Sequence, residues 1–214
     1  MGRVIITWTD PSPGGRSATA WAEREAALRR LPLKVAQGPP PSDQADGEAE
    51  LIVAGLDRSP RLPAPGTTPV VFVPWAPRRL PDTVTVGLDA RGPDGGVLRF
   101  AFEAARLRGV RLHAVHAWAL PARAAARSPL PVLEEDRAEW EDQEVQLLSD
   151  ALRPWRGKYP DVDVLEDVLL FEPSDALIHA AESSGLLVLG LHTGDTAQDV
   201  LEAAVRCPVA VVPS

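Results

Sequence analysis

Short apolar runs alternate along the chain with longer segments whose apolar residues recur every three or four positions. In 95–108, for example, Val97, Phe100, Ala101 and Ala104 share one helical face. The same patterns predict the other elements of the second half. These are strands at 83–88, 111–118, 162–170, 186–191 and 209–212, and helices at 95–108, 134–152, 173–184 and 197–205, with Pro154 ending or kinking the long helix.

The first half repeats the alternation over a shorter stretch. Its pattern predicts strands at 4–8, 33–36, 51–54 and 70–73, one helix at 16–30, and a loop in the Pro-, Asp- and Gly-rich segment 38–48. Strands that alternate with helices indicate an α/β fold with a parallel sheet. Because this half is too short for an independent domain, we expect it to pack against the second half.

The two halves are related by an internal repeat. At one constant offset, Asp10 matches Asp89 and Ala22 matches Ala101; further along, Gly55 matches Gly190 and Val70 matches Val209. The second half carries extra residues in its middle that the first half lacks. With a Pro-rich linker at 76–81, the repeat predicts a truncated unit at 1–78 and a fuller one at 82–214.

Composition narrows the function classes. Apolar residues make up 45% of the 214 residues, the net charge is −8, and Lys and Arg are not clustered, which argues against partners such as nucleic acid or a membrane surface. Cys207 is the single cysteine, which excludes an intrachain disulfide and a zinc site made of thiolates. No apolar run suits a signal peptide or a membrane span, so we expect a cytoplasmic protein.

Catalytic motifs are absent from the sequence. It contains no Gly-x-Ser-x-Gly, no phosphate-loop Gly-Lys-Ser/Thr and no Gly-x-Gly-x-x-Gly. Cys207 fits a small core residue without a base beside it. His116, Asp89 and His192 would meet at one edge of the sheet, where they could hold a metal or an anion. The simpler interpretation is that His116 belongs to a strand and that His192 is exposed in a loop. We therefore predict neither an enzyme nor a metal site.

Several runs together resemble one known family, the universal stress proteins. They include Val86-Gly87-Leu88-Asp89, Ala114-Val115-His116-Ala117-Trp118, Leu187-Val188-Leu189-Gly190 and Cys207-Pro208-Val209-Ala210-Val211-Val212. The resemblance covers nearly all of the second half and, more thinly, the first. It implies adenine nucleotide alpha hydrolase-like units in tandem. Each full unit would have a five-stranded parallel sheet with strands in the order third, second, first, fourth, fifth, and ligands would bind at the carboxyl ends.

The phosphate-binding loop of this family departs from its pattern here. Nucleotide-binding members carry Gly, two residues, Gly, nine residues and Gly-Ser/Thr after strand four, which lets backbone amides approach phosphates. Gly190 matches the first glycine, but Thr193 stands at the second, and no glycine follows Gly194. The motif is also absent after Gly55. We expect any cofactor to be held by Asp89, Val115, His116, Gly190, His192 and Gly194.

The last strand of each half is short and apolar. In the resembling family such strands pair between subunits, so we expect 70–73 and 209–212 to pair within this chain and form a pseudo-dimer.

Three hypotheses of function follow from these patterns. The first is a non-enzymatic stress-response or regulatory protein that has lost ATP binding and acts through a protein partner, self-association or another ligand. The second is a protein that binds ATP, ADP or AMP through Asp89 and strand two despite the short loop. The third is a metal-dependent hydrolase that uses His116, Asp89 and His192.

Overall fold

The computed structural model describes residues 3–9, 12–37, 49–56, 62, 68–75, 83–120, 134–203 and 205–213. Its strands are β1 (Val4–Thr9), β2 (Leu33–Gln37), β3 (Ala49–Gly55), β4 (Val70–Val73), β5 (Thr83–Gly87), β6 (Arg111–Trp118), β7 (Val164–Leu170), β8 (Leu186–Gly190) and β9 (Val209–Val212). Its α-helices are α1 (Pro13–Arg29), α2 (Gly95–Arg108), α3 (Glu134–Lys158), α4 (Pro173–Ala181) and α5 (Gly194–Glu202).

All of these strands form one sheet, in the order β2-β1-β3-β4-β9-β8-β5-β6-β7. Within each half the neighbouring strands are parallel. The strands of the second half lie in the order that the family resemblance implied, with β5 between β6 and β8, so the α/β prediction is confirmed. Ligands bind in such sheets beside the strand at which the order reverses, and here that strand is β5.

An antiparallel pair of strands joins the two halves. Val70 lies opposite Val211, Val71 opposite Ala210 and Phe72 opposite Val209. The predicted pairing of 70–73 with 209–212 is therefore confirmed. Both strands are buried along their whole length, so each covers the apolar edge that the other would expose.

Helices cover both faces of the sheet. Side chains of α1, α2 and α3 share one core, which contains Ala22, Phe102 and Leu152. Side chains of α4 and α5, among them Leu177 and Leu201, form the core on the other face. In the described part of the chain, no helix is both long enough and apolar enough to span a bilayer.

Some helix bounds differ from the prediction. Helix α1 begins earlier, at Pro13, because the Ser12 hydroxyl accepts a hydrogen bond from the Gly15 amide and caps it. Helix α5 also begins and ends earlier than expected, while α4 ends earlier, at Ala181.

Helix α3 was predicted at 134–152, with Pro154 ending or kinking it, but it continues through Pro154 to Lys158. The rings of Trp155 and Tyr159 stack on Phe102 of α2, with centroids 6.0 and 5.4 Å away. This aromatic packing offsets the backbone hydrogen bond that a proline inside a helix removes.

Candidate functional site

A cavity of about 360 Å³ opens at the carboxyl ends of β5, β6 and β8. Its walls come from both strand ends and helices. The residues that line it include Gly87, Asp89, Val115, Ala117, Trp118, Leu177, Leu189, Thr193 and Thr196. The cavity therefore lies at the topological switch point, where parallel α/β sheets bind their ligands.

Gly87 forms the tightest part of this wall. A Cβ atom built at position 87 would lie 2.6 Å from Cδ2 of Leu177 and 3.1 Å from Cδ2 of Leu189. A glycine here lets α4 approach the end of β5, so these two leucines become the apolar wall of the cavity. Apolar side chains with a few polar groups at the rim are typical of sites for small organic ligands.

Asp89 stands at the rim of the cavity and its side chain is exposed. Its Oδ1 atom accepts a hydrogen bond of 2.9 Å from the Arg91 amide. This is the local bond of a turn residue, and it leaves the other carboxylate oxygen, Oδ2, free of hydrogen bonds within the described residues. The bond fixes the direction of the carboxylate without using up its capacity to accept.

Val115 and His116 point to opposite faces of β6, as neighbours in a strand must. Val115 is packed on the α4 and α5 face and lines the cavity. His116 was predicted as a ligand-binding residue, but its ring is only 1% exposed and is not part of the cavity wall.

The His116 ring is bonded at both nitrogens. Nε2 lies 3.0 Å from Oε2 of Glu144 on α3, and Nδ1 lies 3.3 Å from the Ala90 amide and 3.2 Å from the Leu88 carbonyl oxygen. When Nε2–H donates to the carboxylate, Nδ1 accepts from the Ala90 amide. Arg91 pairs with the other oxygen of Glu144. His116 therefore positions the turn that carries Asp89. This role could not be predicted from the sequence, which does not show that Glu144 contacts the ring.

The connection from β8 to α5 is very short. Gly190 ends β8, a single 3₁₀ turn spans Leu191–Thr193, and α5 begins at Gly194. The Thr193 hydroxyl donates a 2.7 Å hydrogen bond back to the Gly190 carbonyl and closes this turn. The backbone of His192 lies in the 3₁₀ turn, and its side chain is outside the described residues.

The backbone of α1 lies very close to the end of β3 in the first half. Gly55 ends β3, and a Cβ atom at that position would lie 2.9 Å from the carbonyl carbon of Gly14 in α1. The Ser17 hydroxyl also donates a 2.7 Å bond to the Trp75 carbonyl, which draws α1 over the end of β4. Asp10, the counterpart of Asp89, lies outside the described residues.

Sequence reasoning missed several residues of the cavity wall. Leu177 and Thr196 come from helices whose approach to the sheet depends on tertiary packing. Trp118 was expected at a strand end that could line a cleft, and it does line this cavity. Its indole nitrogen is buried and has no hydrogen-bond partner among the described residues.

The described residues contain neither a cluster suited to a metal ion nor an accessible cysteine nucleophile. No three of their His, Cys, Asp and Glu side chains lie close enough together to share a metal ion. Cys207 is fully buried, and this burial raises the pKa of its thiol to about 12, so it stays protonated and unreactive at neutral pH.

Comparisons with known proteins point to one family. The profile of a family described as the Universal stress protein family matches residues 81–213. A universal stress protein of Mycobacterium tuberculosis is 36% identical over 132 residues, which cover 58% of this chain and 40% of that protein. Another from that organism is 34% identical over 140 residues, which cover 60% and 44%. The chain thus spans less than half the length of the curated relatives that it matches.

A solved structure resembles the whole chain. The crystal structure of a universal stress protein from Archaeoglobus fulgidus has a TM-score of 0.55 and 12% identity, and the match covers 98% of this chain and 96% of that chain. At this identity the likeness concerns the fold alone.

Proposed function

Because this chain belongs to the universal stress protein family, we propose that it is a non-enzymatic stress-response or regulatory protein whose second-half cavity takes a ligand other than ATP. One observation carries the proposal. The connection between β8 and α5 is a single 3₁₀ turn, so no glycine-rich loop provides the row of backbone amides that a triphosphate needs.

The cavity itself supports a ligand of another kind. Its wall of Leu177, Leu189 and Val115 offers apolar surface to a ring, and Asp89 offers an acceptor at the rim. A group that carries several negative charges would meet the Asp89 carboxylate, while Arg91, which also lines the cavity, is already paired with Glu144. An uncharged or positively charged ligand avoids that repulsion.

The chemistry of the site supports the non-enzymatic part of the proposal. General acid–base catalysis needs a titratable group within hydrogen-bond reach of the substrate. His116 is turned away from the cavity and bonded to Glu144, and the Cys207 thiol is buried in the core. Asp89 alone supplies neither a nucleophile–base pair nor a metal site.

A nucleotide-binding function is the second candidate. It is favoured by the persistence of the cavity, which has both Asp89 and Val115 in its wall. In this case the base and ribose would carry the binding energy, and AMP would bind as well as ATP.

The proposal is tested by incubating the purified protein with ATP, with and without magnesium, and measuring both phosphate release and the nucleotide extracted after denaturation. We expect no phosphate release above the rate in buffer. We also expect no ATP in the extract, either from the protein as purified or from the protein that was incubated with ATP and then freed of unbound nucleotide. Ala117→Phe, which fills the cavity, is the matched variant. Turnover or bound ATP that disappears in Ala117→Phe would contradict the proposal.

A further inference from the structure

A second cavity, of about 230 Å³, lies between the two halves of the chain. Arg3 and Glu50 of the first half border it near the starts of β1 and β3, and Arg99 and Glu103 of α2 border it from the second half. It is separate from the cavity at the ends of β5 and β6. A ligand bound here would therefore be additional to the ligand of the proposed function.

Positive charge exceeds negative charge in the wall of this cavity. Three arginines, Arg3, Arg29 and Arg99, face two glutamates, although the whole chain carries a net charge of −8. Glu50 is paired with Arg3 at 3.1 Å, and Glu103 accepts a 3.3 Å bond from the Tyr159 hydroxyl. The exposed side chain of Arg99 makes no hydrogen bond or ion pair within the described part of the chain.

Arg29 is the buried member of the set. Its side chain is 7% exposed, and its guanidinium lies over the ring of Phe100, which also lines the cavity, at 5.2 Å from the centroid. Nε donates to Oε1 of Glu25 at 2.6 Å, but Nη2 has no partner among the described residues. A buried donor without a partner costs free energy, which a bound acceptor would recover.

Glu25 does not neutralise this site completely. Its second oxygen pairs with Arg108 of α2, so one carboxylate serves two guanidinium groups. Among the described residues, one positive charge of the group formed by Glu25, Arg29 and Arg108 is therefore left without a counter-ion. Guanidinium groups bind carboxylates and phosphates through two parallel hydrogen bonds.

The nearby start of α2 does not supply the site. The amides of Gly96 and Val97 donate to Oδ1 of Asp94, at 2.7 and 3.2 Å. Because these amides are already capped, the arginine side chains must account for any anion bound here.

We propose that this cavity binds a small oxyanion, a molecule bearing one phosphate or one carboxylate group, through Arg29 and Arg99. Arg29 belongs to α1 and Arg99 to α2, so the ligand would contact both halves of the chain. Its binding would stabilise their association, since a ligand that binds only the folded state raises its stability.

Calorimetric titration with inorganic phosphate, and separately with acetate, tests this proposal in a buffer of low ionic strength. We expect saturable binding of at least one of the two, and the titration that saturates identifies the group. Arg99→Gln removes an exposed charge without breaking an ion pair, so the variant should fold. It should weaken binding about tenfold, as expected for a lost charge-assisted hydrogen bond.

Arg24→Gln is the matched control, because Arg24 is an exposed arginine of α1 away from the cavity. It should bind within twofold of the unmodified protein, as should Ala117→Phe, which alters only the other cavity. The proposal is overturned if neither anion saturates, if Arg99→Gln binds as the unmodified protein does, or if Arg24→Gln loses as much affinity as Arg99→Gln.

Discussion

Glu25 of α1 and Arg108 of α2 form an ion pair that crosses between the two halves of the chain. Glu25 is 3% exposed and also pairs with Arg29. Burial lowers the pKa of Arg108 from its ordinary value, and the Glu25 carboxylate opposes that shift. The halves are thus held together by a desolvated charge cluster as well as by the β4–β9 strand pair.

Replacing Glu25 with glutamine should destabilise the whole protein. The change leaves Arg29 and Arg108 as like charges without a shared carboxylate, and breaking a buried pair in this way costs about 3 kcal/mol or more. Urea unfolding monitored by tryptophan fluorescence measures the cost. Asp163→Asn is the control, because its pair with Arg111 is more than half exposed on both sides and should be worth less than about 1 kcal/mol. Equal losses in the two variants would contradict this role for Glu25.

A methyl group at position 55 should be poorly tolerated. In Gly55→Ala the new Cβ would lie 2.9 Å from a backbone atom of Gly14, so α1 must shift away from the sheet, at a cost of about 1–3 kcal/mol. Gly157→Ala is the control, because no atom lies within 4 Å of its added Cβ and alanine favours a helix by up to about 1 kcal/mol. The two unfolding midpoints should move in opposite directions; a neutral Gly55→Ala would show that α1 does not pack this closely against the end of β3.

The Cys207 thiol should react slowly in the folded protein. Burial raises its pKa from 9.0 to about 12, so the reactive thiolate is scarce at pH 8. We expect iodoacetamide to modify the folded protein about 100-fold or more slowly than the protein in urea. Labelling at equal rates would contradict the buried position.

The same shift predicts how Cys207 affects stability with pH. Above pH 9 the thiol of the unfolded chain releases its proton while the folded thiol keeps it. Its contribution to stability is therefore complete below pH 9 and is lost as the pH rises towards 12. Cys207→Ala should lose less stability than the unmodified protein between these values, as measured by urea unfolding at several pH values.

Local patterns predicted the fold well where periodicity and burial coincide. The bounds of α2, β4 and β9 agree with the prediction because apolar spacing and nearby Gly or Pro residues mark both ends. The pattern left open whether α3 ends or kinks at Pro154, since its continuation depends on rings that come together only in the tertiary structure.

The candidate site was harder to predict than the fold. Asp89 and Val115 follow from strand ends and lie in the cavity wall. His116 was placed there too, because the sequence contains no sign that Glu144, on a distant helix, bonds its ring on the opposite face. Arg29 and Arg99 were missed for a similar reason, as nothing in their spacing shows that α1 and α2 meet.

The central claim is that the turn after β8 no longer supports a triphosphate. Its most direct test is calorimetric titration with ATP and with AMP in the presence of magnesium, carried out in Arg99→Gln so that the arginine cavity contributes little. We predict that the affinity for ATP is no higher than the affinity for AMP. The absence of measurable binding by both nucleotides also agrees with this prediction. ATP binding tenfold or more tightly than AMP, which amounts to about 1.4 kcal/mol from the added phosphates, would contradict the claim.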